Sequence, residues 1–149
     1  MDIASQYRWE AYKSVEYYNT MHRRYKRWHF MMNMAIGGLG LGIGILTTAE
    51  EPDQQVIVIV AVMIVSLTGW NAAAGFTEKA AILSGIADSF WSVWMLCMQP
   101  DITDEALTQA FQAALARTSN SPVPIHPKIL DKVDKEAREK YPRQLKAVG

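Results

Sequence analysis

The chain has 149 residues, enough for one domain, and its 15 Lys and Arg balance 15 Asp and Glu, so total charge favours no polyanionic or polycationic partner. A single cysteine, Cys97, excludes an intrachain disulfide; set among Trp94, Met95, Leu96 and Met98, it reads as a buried thiol. The charges are unevenly placed: Phe30–Ala49 and Gln54–Thr77 carry none, so a mean hydropathy near zero averages an apolar middle with two polar ends.

Residues 1–29 are expected to form a cytoplasmic amphipathic helix that continues into the next segment. Ala4, Tyr7, Ala11, Ser14, Tyr18, Met21, Tyr25, Trp28 and Met32 recur at spacings of three and four, and the frame continues through Ala35, Leu39, Gly42 and Leu46. This seam is aromatic rather than leucine-rich, which points to packing against the chain's own C-terminal helices rather than to a zipper dimer. The helix passes through the basic run HRRYKRWH, with Arg23, Arg24, Lys26 and Arg27, into residues 30–49. At 20 uncharged residues, that stretch is long enough to cross a bilayer as a helix.

Within it lies GGLGLGIG. A dinucleotide-binding loop needs a strand before the glycines and an acid about 20 residues on, whereas these glycines sit inside an apolar run. Read as helix, Gly38/Gly42 and Gly40/Gly44 form two small-xxx-small pairs about 200° apart. One face can receive the chain's own second span and the other a neighbouring subunit, with specific packing the expectation over mere tolerance of glycine.

Residues 50–55 form a short acidic turn containing Pro52, and residues 56–77 a second, mostly aliphatic span. Near its end are Asn71 and the small patch that includes Ala73. Asn33 and Asn71 fall at similar depth and are expected to bond each other, bond across subunits, or face a wet lumen. Lys and Arg flank the first span and are missing from the turn, which places the turn outside and both termini in the cytoplasm, with Trp28 and Trp70 at the cytoplasmic interface. A soluble helical hairpin is disfavoured, because Val56–Leu67 has almost no polar stripe.

Residues 78–149 read as a cytoplasmic helical region. Lys79–Met98 sets Ser84, Asp88 and Ser92 against Ile82, Ile86, Phe90, Val93, Trp94 and Cys97. It is expected to be an amphipathic helix beside the aromatic seam, with a third span as the alternative. A helix from about Thr103 to Arg117 is capped by Asp101 or Thr103, and Pro127 opens a last charged helix to about Tyr141. The fold class is therefore all-α: a two-span transmembrane helical hairpin with long cytoplasmic helical extensions.

Catalytic patterns are not found. His22 and His29 lie seven apart beside bases, without the acids or thiols of a metal site. No Ser/His/Asp spacing, CxxC or P-loop is present, and Glu78 with Asp88 makes a poor carboxylate pair. No enzyme activity, metal or cofactor is expected. HRRYKRWH beside a span meets anionic lipid head groups more simply than nucleic acid, so membrane lipid is the expected partner.

The run YNTMHRRYKRWH before a two-span hairpin, followed by a long helix and the late segment SPVPIHPKI, resembles the SLATT family of small two-helix membrane proteins of bacterial conflict systems. The alternating glycines depart from that pattern. The resemblance implies a homo-oligomeric effector at the cytoplasmic (inner) membrane. Such an effector permeabilises or depolarises the membrane in antiphage defence when a separate sensor or trigger protein acts on it. The rivals are a phage holin or superinfection-exclusion protein, a non-pore membrane scaffold recruiting a cytoplasmic partner, and, more weakly, a constitutive ion channel.

Overall fold

The computed structural model describes the backbone of residues 3–48 and 53–148, and over these it is all-helical. The elements are α1 Ile3–Thr47, α2 Gln54–Ala74, α3 Phe76–Leu96, α4 Asp104–Ser119 and α5 Pro127–Val148, with no strand among the described residues. Most of the expected acidic turn, with Glu50, Glu51 and Pro52, lies outside the described residues.

Helix ends are set by short polar side chains and by one glycine. Asp53 caps α2, its carboxylate accepting from the Gln55 and Val56 N–H groups at 3.0 and 3.3 Å. Thr103 caps α4 by accepting from the Ala106 N–H at 3.3 Å, with Asp104 and Glu105 in the first turn and Arg117 in the last, each matched to the helix dipole. Pro127 occupies the first position of α5, where its missing N–H costs nothing. α2 stops at Ala74, three residues before the expected end of the second span. Gly75 adopts φ +58°, the left-handed conformation that ends a helix, and its N–H donates to the Ala72 carbonyl at 3.3 Å.

The chain divides into two compact units. Unit 1 comprises residues 1–23 and 79–149. Its core joins Ala11, Tyr12 and Val15 of α1 to Ile86, Phe90, Val93 and Trp94 of α3, Leu107 and Ala114 of α4, and Ala137 of α5. The aromatic seam of α1 packs against α3 and α4: Tyr18 stacks on Phe90 (5.9 Å between centroids) and Tyr7 on Phe111 (4.5 Å), while Tyr12, outside the expected seam, lies against Tyr141 of α5 (5.3 Å). α3 buries Leu83, Ile86, Phe90, Val93 and Trp94 and leaves Asp88 and Ser92 exposed, the two faces expected of it. Unit 2 comprises residues 24–78: the C-terminal half of α1, α2 and the first residues of α3.

Gly75 and Gly85 give opposite expectations. Gly75→Ala forces an L side chain into the left-handed region and should lower stability by about 1–2 kcal/mol. Gly85→Ala, in helical backbone with nothing within 4 Å of the new Cβ, should be neutral or raise it by up to about 1 kcal/mol. Urea titration of the two purified variants followed by circular dichroism checks both signs.

Candidate functional site

In unit 2 the less exposed residues of α1 are Tyr25, His29, Met32, Ile36, Leu39, Ile43 and Leu46, with Gly42 at the edge. On α2 they are Ile57, Val60, Ala61, Ile64, Leu67, Asn71 and Ala74. Both sets recur at three and four, so each helix has one less exposed stripe, and the two stripes form a seam. The expected frame holds at Tyr25, Met32, Leu39 and Leu46. Between them the frame falls one residue later than expected, on His29 and Ile36 instead of Trp28 and Ala35, while Gly42 stays half-buried beside Ile43. The branched isoleucines fill the seam, and Trp28 turns out to 45% exposure.

The remaining surface of the pair is apolar and open. Leu41, Ile45 and Val65 are each more than 70% exposed, and α2 contains no buried residue. Gly37, Gly38, Gly40 and Gly44 belong to this open surface, and Gly42 lies half-buried at the seam edge. A Cβ at Gly37, Gly38, Gly40, Gly42 or Gly44 would meet nothing within 4 Å, and none of these glycines has a positive φ. Neither the backbone nor the chain's own second helix requires glycine there: the α1–α2 contact runs through isoleucine and leucine. Ala73 of α2 is exposed as well.

One polar contact crosses this pair. The Asn71 Nδ2–H donates to Asn33 Oδ1 at 3.0 Å, so the two asparagines meet within one chain. The Asn33 Nδ2–H in turn donates to His29 Nε2 at 3.1 Å. Asn71 Oδ1 is buried and has no partner. His29 was not expected as a member of this chain of bonds, yet it stands four residues before Asn33, the spacing at which helical side chains meet. On the same unit, Arg24, Lys26 and Arg27 are exposed, and none makes an ion pair among the described residues. Exposed Trp28 and Trp70 belong to this unit too, Trp70 lying edge-on to Phe76.

Unit 1 carries Arg23, exposed, and His22, whose Nδ1–H donates to the Ala80 carbonyl at 2.7 Å. That bond gives His22 a structural role. The Arg8 Nη2–H donates to the Cys97 carbonyl at 2.8 Å, a contact without a sequence signal because the two residues are 89 apart. A groove of about 300 Å³ between α3 and α4 is lined by Asp88, Ser89, Ser92, Ala110, Ala113 and Arg117 among others, and the Arg117 guanidinium donates to Ser89 Oγ at 2.6 Å. Nothing in it pairs a nucleophile with a base. No cluster of three metal-ligating side chains occurs among the described residues. Compared with protein-family models, curated proteins and solved structures, the chain matches none.

Burial pushes the Cys97 thiol and the Tyr12, Tyr18 and Tyr141 phenols up; Arg8 pulls Cys97 and Tyr141 partly back. A group that holds its proton more tightly when folded stabilises the fold below its unfolded pKa and loses that contribution as pH rises. Unit 1 should therefore weaken as pH climbs from neutrality into the range where thiols and phenols ionise. Cys97 should react slowly with a thiol reagent at pH 8 until urea unfolds the bundle. Reaction at the rate of a free thiol in the folded protein would contradict the assignment.

Proposed function

We propose that the protein is a homo-oligomeric effector of the cytoplasmic membrane, in which α1 from about Phe30 and α2 cross the bilayer and the assembled spans permeabilise or depolarise it. The observation that carries this reading is the outer surface of the α1–α2 pair. It is apolar along its length, is covered by nothing among the described residues, and holds five glycines with open space before them. Both helices are long and apolar enough to cross a membrane, and the most apolar windows of the two are 6% and 0% buried, unlike the core helix of a soluble protein. Glycine faces allow helix backbones to approach closely in lipid. A neighbouring copy seated on Gly40 and Gly44 gives these positions the use that the single chain does not, and Gly38, Gly42 and Ala73 offer small-residue surface elsewhere on the pair.

In this reading Arg23, Arg24, Lys26 and Arg27 contact anionic head groups on the cytoplasmic side, and Trp28 and Trp70 settle at that interface. Unit 1 is then the cytoplasmic bundle on which a separate sensor or trigger protein acts. The likeness to SLATT proteins supports antiphage defence as the setting. A membrane scaffold is the second reading. It is favoured by exposed Trp91 and Met95 on α3, a face suited to a soluble partner.

Gly40→Leu separates assembly from folding. Because nothing lies within 4 Å of a Cβ there, the variant chain should keep its helix content and stability while losing its oligomer on native gels in mild detergent. Expression of the parent chain from a tight promoter should depolarise bacteria in a membrane-potential dye assay, and the variant should not. Depolarisation retained by a monomeric variant would remove the glycine face from the mechanism. A parent chain that leaves the potential intact, during phage infection as well, would favour the scaffold.

A further inference from the structure

We propose that His29, Asn33 and Asn71 form a reversible hydrogen-bond chain across the α1–α2 pair, and that protonation of His29 reverses its direction. The inference rests on the bonded chain itself and holds whether or not the pair conducts ions. As observed, the chain runs from α2 to α1: Asn71 donates to Asn33, and Asn33 donates to His29 Nε2. An imidazole nitrogen that accepts is unprotonated, so this arrangement belongs to the neutral ring, with its proton on Nδ1.

A protonated ring cannot accept. Both of its nitrogens donate, and Asn33 Nδ2 would face a second donor at 3.1 Å. A half-turn of the Asn33 amide resolves the conflict, because amide oxygen and nitrogen are nearly the same size and exchange places without moving other atoms. His29 Nε2–H then donates to Asn33 Oδ1. Asn33 Nδ2 now points at Asn71 and requires an acceptor there. Asn71 has one in reserve: its Oδ1 is the buried oxygen that no donor reaches in the observed state. A half-turn of the second amide brings that oxygen to Asn33. The outline of the two amides is unchanged, both bonds are kept, and the first becomes charge-assisted, roughly twice as strong as a neutral one, while Asn71 Nδ2 takes the unpartnered place that its oxygen held.

The pair of asparagines is what makes reversal possible. Each amide offers both a donor and an acceptor, whereas a carboxylate at either position accepts only. The charged and titratable residues of unit 2 nearest the ring in sequence are Arg24, Tyr25, Lys26 and Arg27 on α1, with Lys26 one turn away; Glu78 stands in the first turn of α3 and Asp53 at the start of α2. α2 presents no charged residue between Gln54 and Ala74. The chain therefore passes the protonation state of a residue on α1 to a residue on α2, and makes the contact between the two apolar helices responsive to pH.

The test is a pH titration of the full-length protein in detergent micelles, with ¹⁵N-labelled asparagine and histidine, over about pH 5–8, where imidazoles ordinarily change charge. The chain has four asparagines, so Asn19 and Asn120 serve as internal references. The side-chain amide signals of Asn33 and Asn71 should move together, with the midpoint of the His29 ring and not that of His22 or His126. In His29→Gln, which keeps an acceptor but cannot titrate, both amides should stay fixed. A His29 ring that titrates while the Asn71 amide stands still overturns the proposal. So does a ring that stays neutral to pH 5, or an amide movement that persists in His29→Gln.

Discussion

A helix pair that turns Phe30, Met34, Leu41, Ile45, Val58, Ile59, Val62 and Val65 outward has to be covered by something other than water. At about 1 kcal/mol for each half-exposed side chain, these eight cost on the order of 8 kcal/mol in water. That is the size of a whole domain's net stability, about 5–15 kcal/mol. The seam between α1 and α2 uses up one stripe of each helix and offers the rest no shelter. Lipid can cover such a surface without demanding polar partners, and in the proposed assembly a second copy covers part of it where glycine lets backbones come close.

The two units solve the burial problem with different side chains. In unit 1, α1 contributes tyrosines whose rings stack in the core, with hydroxyls reaching polar partners where they can: Tyr17 Oη accepts from the His126 N–H at 2.9 Å. Tyrosine suits a bundle whose rim is wet. In unit 2 the same helix uses Met32, Ile36, Leu39, Ile43 and Leu46, which carry no polar atom to satisfy. Asn33 and Asn71 are the exception, and one hydrogen bond joins them. An amide pair of this kind sets the register of two helices whose aliphatic seam would otherwise tolerate sliding, because a shift by one turn leaves two amides unpaired.

Much of this arrangement was legible in the residues, for identifiable reasons. Thr103 with Asp104 and Glu105, and Pro127, mark helix starts by local chemistry that needs no tertiary context. The heptad positions Tyr25, Met32, Leu39 and Leu46 repeat every seven residues and so survive either choice of intervening position. That choice was not legible: Trp28, Ala35 and Gly42 fit the spacing as well as His29, Ile36 and Ile43, and only the volume needed at the seam decides between them. Gly75 was unreadable for a related reason. In a stretch with glycines at 37, 38, 40, 42, 44 and 69, all open to substitution, nothing local marks the one that must turn left-handed. The Arg8 contact with the Cys97 carbonyl depends on the packing of α1 against α3 and has no local signature. Asn33 and Asn71 were expected to be partners or pore-facing, and geometry joins them within one chain.

The claim on which the functional account depends is that the α1–α2 pair lies in the bilayer with its turn outside. It is tested most directly by labelling intact bacteria with a membrane-impermeant maleimide in a Cys97→Ala background. The expected result is that Thr48→Cys, at the turn end of α1, is labelled in intact cells. Lys132→Cys, exposed on α5, should be labelled only after the cells are opened. Recovery of the protein in the soluble fraction, with both positions protected until lysis, would contradict the account.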